Sequence, residues 1–153
     1  MTKREIQRTG ADTFRLELHP KIRRLLADLK DMTLSHIEEG SPASRRIYPI
    51  AYQGSPEMEM DFEQLTRKPL AHHHRENLDL FGDSISKSVL SEAEALAWIG
   101  ALNDMRLVLG TALDITEDQP LVDPSDPNYE GHVIYDLLTF LQGMFIEEIQ
   151  NMK

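Results

Sequence analysis

The spacing of apolar residues predicts a long helix from Glu92 to Leu113 at the centre of a mostly helical fold. At 3.6 residues per turn, one set of apolar side chains falls within roughly a third of the helix circumference. The set consists of Ala95, Ile99, Leu102, Leu109 and Leu113. Ser91 and Glu94 form a capping box that marks the start of this helix, and Leu90 with Ala95 forms a hydrophobic staple.

Arg106 lies in the middle of this apolar face. A guanidinium keeps its charge, so it must pair with a carboxylate, bond to backbone carbonyls, or extend along apolar neighbours to reach water. We expect an acidic partner and a structural ion pair. The alternative is an anion or peptide-carboxylate site, for which Asn103, Asp136 and Trp98 are the further candidate binding residues.

A short half-buried strand is predicted at residues 13 to 18, where apolar and polar residues alternate. Its partner is either the segment from Arg46 to Tyr52 or a strand of a second subunit. Pro49 limits the first of these to an edge, so the pairing would give a small two-stranded ribbon.

Four further helices complete a predicted all-α fold, a single-domain five-helix bundle with a short N-terminal strand. In chain order they run from Pro20 to Gly40, from Pro56 through Leu65 with a stop before Pro69, from Leu70 to Val89, and from Val133 to Met152. An acidic, proline-rich loop covers residues 116 to 131. Within the central helix, Gly100 and Gly110 favour close packing of a neighbouring helix, with exposed hinges as the alternative.

The composition fits one globular domain over residues 1 to 153, with 41% apolar and 27% charged residues. No apolar run approaches the roughly 18 residues that a membrane helix requires, and the N-terminus lacks the apolar stretch of a signal peptide. We therefore expect a cytoplasmic protein that does not contact a membrane. The absence of cysteine excludes disulfides, thiolate nucleophiles and cysteine-based metal sites.

The net charge of −10 is unevenly distributed along the chain. Residues 1 to 50 hold ten Lys and Arg against seven acids, whereas residues 51 to 153 hold six against nineteen. Because non-specific DNA affinity comes largely from neutralising phosphates, this balance argues against nucleic acid as a partner. A DNA-binding protein would depend on the basic residues Lys3, Arg4, Arg8, Lys21, Arg23, Arg24, Arg45 and Arg46.

The sequence predicts no metal site and no cofactor. Three consecutive histidines, His72, His73 and His74, point about 100° apart on a helix, so at most one can face a given ion. The chain has no GxSxG elbow, no phosphate-binding glycine loop and no HExxH motif. No catalytic residue is assigned, and an enzyme is the less favoured class of protein.

Three segments resemble the actinobacterial family of unknown function called DUF2017. They are RRIYPIAY from Arg45 to Tyr52, WIGALNDMRLVLGTALDITED from Trp98 to Asp118, and YDLLTFLQ from Tyr135 to Gln142. The HHH run and the loop before the last helix depart from the family pattern. The resemblance implies a cytoplasmic, mostly helical bacterial protein with no established activity. It also implies a gene near the adaptor that delivers substrates to the Clp protease, and some members have been labelled transcriptional regulators.

The favoured hypothesis is a non-enzymatic regulatory protein that binds an unidentified protein partner through a helical surface, in connection with Clp-adaptor-linked proteolysis. The unpaired strand further suggests a homodimer. Two alternatives stay open. One is a DNA-binding transcriptional regulator, and the other is a small-molecule or anion binder, or an enzyme, that uses Arg106.

Overall fold

The computed structural model describes residues 5–39, 68–115 and 123–150. Within these ranges the chain forms, in order, β1 (Ile6–Arg8), β2 (Thr13–Leu16), α1 (Pro20–Glu39), α2 (Lys68–Ser84), β3 (Val89–Ser91), α3 (Glu92–Ala112) and α4 (Tyr129–Gln150). The prediction of a mostly helical chain is confirmed. The helix predicted from Pro56 through Leu65 lies outside the described residues, so the count of five helices stays a prediction.

The central position predicted for α3 is confirmed, because this helix contacts α1, α2, α4, β2 and β3. The capping box at its start is formed by Ser91 and Glu94 as the sequence predicts. The small residue Gly100 allows α2 to approach closely, since a Cβ atom there would clash with Nδ2 of Asn77. Close packing rather than an exposed hinge therefore explains this glycine.

The core of the helical layer is built around Trp98 of α3, which is fully buried. Its ring meets Phe81 of α2 edge to face at 4.4 Å between centroids, and it stacks on Phe145 of α4 at 5.3 Å. The indole N–H donates to Oγ of Ser84 at 2.8 Å, and that hydroxyl lies 2.9 Å from the carbonyl oxygen of Leu80. The buried polar groups are thus paired, and three helices are joined at one aromatic residue.

The strands form a three-stranded antiparallel sheet in the order β1, β2, β3. Ile6 pairs with Leu16 on one side, and Phe14 pairs with Leu90 on the other, with all four side chains buried. The prediction of a two-stranded ribbon is therefore wrong in strand number, and the partner predicted for it, Arg46 to Tyr52, lies outside the described residues. Because β2 has partners on both sides within its own chain, an unpaired strand no longer argues for a second subunit.

Helix α2 ends at Ser84, so the prediction that it reaches Val89 is wrong. Beyond Ser84 the carbonyls of Ile85 and Lys87 accept from the guanidinium of Arg23 in α1, which also donates to the carbonyl of Leu16 in β2. These hydrogen bonds link the segment between α2 and β3 to α1 and β2. Burial lowers the pKa of Arg23 from its ordinary value, because desolvation disfavours the charged form.

Helix α4 begins at Tyr129, four positions before the predicted start at Val133. Oδ1 of Asp126 accepts from the backbone N–H of Asn128 at 2.7 Å, and the carbonyl of Asn128 accepts from His132 at 3.1 Å. This side-chain turn starts the helix before its apolar periodicity becomes visible. The acidic loop predicted to reach residue 131 is correspondingly shorter.

The end of α3 adopts a Schellman motif with Asp114 in the left-handed region, at φ 55°. The backbone N–H of Ile115 donates to the carbonyl of Gly110 at 2.8 Å, and that of Asp114 donates to Thr111 at 3.2 Å. Glycine is the residue usually found at this position, because a side chain there is sterically strained. Aspartate tolerates the conformation better than most residues but still carries part of that strain.

Replacing Asp114 by Gly should raise the free energy of unfolding by about 0.5–1 kcal/mol, because glycine adopts a positive φ without a Cβ penalty. Asp114→Ala should instead lower it, since alanine has the Cβ atom but no side chain to bond locally. Urea denaturation of the three proteins measures both effects. A glycine variant less stable than the alanine variant would contradict the positive φ.

Glu94 links the sheet to the start of α3. Its Oε1 accepts from the backbone N–H of Ser91 at 2.9 Å, and its Oε2 accepts from Nζ of Lys87 at 2.7 Å. The hydrogen bond from Lys87, followed by that from Ser91, holds the pKa of Glu94 below its ordinary value of 4.5. The stabilisation is complete above that ordinary value and is lost as the pH falls through the lower folded-state value.

Glu94→Gln should therefore reduce the loss of stability in acid. The free energy of unfolding of the wild type should fall more steeply than that of the variant between about pH 5 and pH 3. Chemical denaturation at several pH values makes the comparison. Glu92→Gln, in the same helical turn but without these two hydrogen bonds, is the control and should retain the wild-type slope. Equal slopes for the wild type and Glu94→Gln would refute the assignment.

Candidate functional site

The outward side of α4 carries a stripe of apolar side chains exposed to solvent. Tyr129, Val133 and Phe140 are 38%, 47% and 54% exposed, and Asp136 is exposed between them. At 100° per residue these four positions fall within about 60° of the helix circumference. We call these four residues the α4 stripe. The opposite side of the helix packs into the core through Leu138, Leu141 and Phe145.

The α4 stripe stands out against the rest of the described surface. Among the described residues, the other exposed large apolar side chains are Leu80 of α2, Val89 of β3 and Leu96 of α3, one on each element. Isolated apolar side chains are ordinary on a protein surface, whereas aligned ones mark interaction sites. Sequence periodicity found the buried side of α4 but not this stripe. Val133 and Phe140 could have indicated the stripe, because they are large apolar residues on the otherwise polar side of the helix.

Arg106 lies at the boundary between α3 and α4 and is half-buried. Its Nη2 donates to Oδ1 of Asn103 at 3.2 Å, and its guanidinium carbon lies 5.8 Å from the ring centre of Tyr135. Its Nε is buried and has no hydrogen-bond partner. Among the described residues no carboxylate lies within ion-pair distance, so the expected acidic partner of Arg106 is not found there.

The structure separates the four binding residues predicted from the sequence. Asn103 and Arg106 lie together, and Tyr135 joins them. Asp136 is exposed on the α4 stripe, about 100° around the helix from Tyr135. Trp98 is enclosed in the aromatic core with its N–H already bonded. A ligand-binding role for any of these residues stays a prediction.

A buried aspartate and a histidine form a second polar contact between α2 and α3, besides that of Trp98 with Ser84. Asp104 is 2% exposed, and its Oδ2 lies 2.7 Å from Nδ1 of His74. A carboxylate only accepts hydrogen bonds, so when Asp104 is ionised Nδ1 of His74 is the donor in this contact. Sequence reasoning placed His74 on the apolar face of its helix but did not find this pair. The feature that could have indicated this pair is a polar residue on the buried face of each of the two helices.

The other two histidines of the run point elsewhere, as their helical positions predict. His72 is exposed and contacts Glu76 one turn later on α2. His73 is exposed and meets the edge of the His74 ring at 6.0 Å between centroids. Within residues 5–39, 68–115 and 123–150, no three His, Asp or Glu side chains come together in a way that could hold a metal ion.

Two of the basic residues that a DNA-binding surface would need are engaged within the protein. Arg8 of β1 donates to the carbonyls of Glu148 and Ile149 at the end of α4 and lies over the ring of Phe14. Arg23 donates to the carbonyls described above. Lys21 and Arg24 are exposed, and Lys3, Arg4, Arg45 and Arg46 lie outside the described residues. The basic surface available to phosphates is therefore smaller than the residue count suggests.

Comparisons with known proteins identify a family and a set of relatives. The family model described as "Domain of unknown function (DUF2017)" matches residues 3–149. The putative oxidative stress regulator AosR of Mycobacterium leprae is 41% identical over 70 residues, which are 45% of this chain and 32% of that protein. The oxidative stress regulator AosR of Mycobacterium tuberculosis H37Rv is 37% identical with the same coverage. The match thus spans about a third of the length of these relatives.

No solved structure matches the chain significantly. Among the described helices, none is both long enough and apolar enough to cross a membrane.

The pair of His74 and Asp104 should contribute to stability as a coupled unit. His74→Ala should lower the free energy of unfolding by about 1.5–3 kcal/mol, because it leaves a buried carboxylate without its donor. The double variant His74→Ala with Asp104→Ala should lose less than the sum of the single losses, with a coupling energy of about 0.5–3 kcal/mol. Urea denaturation of the four proteins completes the cycle.

His72→Ala is the matched control, since His72 lies on the same helix but is exposed. Its effect should stay within about 0.5 kcal/mol. Additive losses for His74 and Asp104 would show that the two side chains do not interact in solution.

Proposed function

Because the chain belongs to the DUF2017 family and matched relatives are named oxidative stress regulators, we propose that it is a regulatory protein that binds a protein partner. The observation that carries the proposal is the α4 stripe, which aligns three exposed apolar side chains on one helix. A surface of this kind stabilises a complex by removing apolar area from water.

The charge of α4 defines the chemistry of the partner. This helix contains Glu130, Asp136, Glu147 and Glu148 and neither Lys nor Arg. Asp136 lies inside the α4 stripe, and the chain as a whole carries a net charge of −10. We therefore assign to the partner a basic segment with apolar side chains, which would contact Phe140 and Val133 and pair with Asp136.

A second copy of the chain fits this surface less well. Pairing two identical stripes about a twofold axis would bring acidic helices together without any compensating Lys or Arg from α4. A homodimer stays a prediction of the sequence. If it forms, the charge pattern favours a surface other than the α4 stripe.

The absence of cysteine limits how the protein could respond to oxidants. The 153 residues offer no thiol for a disulfide or a sulfenic acid. Two methionines that could be oxidised, Met105 and Met144, belong to the core. In this proposal these 153 residues act by binding, and no thiol of theirs takes part.

The other hypotheses differ in their support. A DNA-binding regulator is less supported, because Arg8 and Arg23 are bonded to backbone carbonyls. A connection with Clp-adaptor-linked proteolysis and a cytoplasmic location stay predictions from the family resemblance and composition. Anion binding by Arg106 concerns a different surface, between α3 and α4.

Truncating the α4 stripe should weaken partner binding. The immobilised protein captures candidates from a lysate of the source organism, and each purified candidate is then titrated against wild type and variants. Phe140→Ala should weaken binding by about tenfold or more, because a buried aromatic contact is lost. Asp136→Asn should weaken it less and reduce its salt dependence between about 0.1 M and 1 M, where charge interactions become screened.

Val89→Ala provides the matched control, because Val89 is as exposed as Phe140 but lies on β3. It should leave the affinity unchanged. The proposal fails if every captured protein binds the wild type and Phe140→Ala equally well. It also fails if binding strengthens with salt, which would be inconsistent with an acidic surface recognising a basic segment.

A further inference from the structure

Arg106 is the only Lys or Arg residue in helices α3 and α4. Across α3 and α4 the sequence contains Glu92, Glu94, Asp104, Glu130, Asp136, Glu147 and Glu148, but no second Lys or Arg. None of these carboxylates lies within ion-pair distance of Arg106. Asp104, the nearest in sequence, points about 200° away around α3 and is bonded to His74.

The groups around Arg106 orient its guanidinium without neutralising it. Asn103 accepts one hydrogen bond through its amide oxygen, and Tyr135 presents the face of its ring. Both groups are uncharged. Among the described residues the guanidinium therefore has oriented neighbours but no carboxylate within ion-pair distance.

Arg106 and Asn103 present N–H groups that have no acceptor among the described residues. Within the described residues, Nη2 of Arg106 makes the one hydrogen bond of that guanidinium. Its Nε is buried and out of reach of a ligand, which leaves Nη1 and Nη2 as the donors for one. Since the amide oxygen of Asn103 faces the guanidinium, its NH₂ group offers further donors nearby. Donors without matching acceptors favour a ligand that only accepts, and a planar guanidinium matches two coplanar oxygens.

We propose that Arg106, Asn103 and Tyr135 form a binding site for a carboxylate group. The guanidinium would donate to both carboxylate oxygens, Asn103 would donate to one of them, and the Tyr135 ring would hold the guanidinium plane in place. A single cation surrounded by acidic helices fits one negative charge better than the two of a phosphate. The carboxylate belongs either to a small free acid or to the end of a peptide. This site is independent of the α4 stripe.

The test is an NMR titration of the full chain that follows the Nε–H resonance of Arg106. Sodium acetate is the probe, and sodium chloride at equal ionic strength is the reference. Acetate should shift the resonance saturably, whereas chloride should not. Arg106→Gln should weaken acetate binding by about tenfold or more, followed through neighbouring backbone amides, and Asn103→Ala should weaken it by a smaller factor.

Two variants separate this site from general charge effects and from the partner surface. Arg24→Gln removes an exposed arginine from α1 and should leave acetate binding unchanged. Phe140→Ala, which tests the α4 stripe, should also leave it unchanged. Failure of one proposal is therefore distinguishable from failure of the other.

A further arm of the titration identifies the source of the carboxylate. A short peptide with a free C-terminus is compared with the same peptide amidated at that end. Tighter binding of the free peptide than of acetate, lost on amidation, indicates a peptide ligand, whereas equal weak binding of both peptides indicates a small acid.

The inference is overturned if acetate acts like chloride, if inorganic phosphate binds more tightly than acetate, or if wild type and Arg106→Gln respond alike. If Arg106→Gln does not fold, Arg106→Lys keeps the charge but loses the planar fork, and unchanged acetate binding in that variant overturns it too.

Discussion

The burial of α3 on nearly all sides is the constraint on which the rest of the structure depends. A helix in this position must satisfy each of its polar side chains locally, because water reaches few of them. Asp104 meets this demand through His74, and the indole N–H of Trp98 meets it through Ser84. Arg106 is the exception, since its neighbours orient the charge without cancelling it. The two polar contacts also join α3 to α2, so these buried polar groups find their partners only when the two helices pack together.

Two arginines organise the edges of the fold in a different way. Arg23 and Arg8 bind backbone carbonyls, the former at the turn between α2 and β3 and the latter at the end of α4. A guanidinium suits this role because its five donors spread over several acceptors. Positive charge near the last carbonyls of a helix is also favourable. Hydrogen bonds to the backbone therefore account for part of the excess of basic residues in the first third of the chain.

Local signals made much of the helical fold predictable. The start of α3 at Ser91 and Glu94, and the bounds of α1 between Pro20 and Gly40, depend on residues adjacent in sequence. The sheet was only half predictable, because β1 and β3 have three residues each and are defined by pairing with β2. A three-residue strand carries too short a pattern to reveal its period, and its partner lies far along the chain.

The candidate sites show the same division. Helical spacing placed Arg106 in the middle of the apolar face of α3, whereas the structure has it half-buried at the boundary with α4. Its neighbour Tyr135 comes from that other helix and could not be read from one segment. The α4 stripe was missed for the opposite reason. Its apolar residues are on the side of α4 that periodicity assigns to solvent. The sequence pattern alone does not tell which apolar residues on such a side form a binding surface.

The contact between Arg8 and the end of α4 has a consequence for biosynthesis. These groups are separated by 140 and 141 positions, so β1 meets the end of α4 only after all the residues between them have been synthesised. Contacts this distant in sequence close late, after local helices and hairpins have formed. A nascent chain can therefore pair β1 with β2 early, but β1 cannot bond to α4 until residues 148 and 149 have been made. Until then, the side of the sheet that packs against α4 stays exposed to solvent.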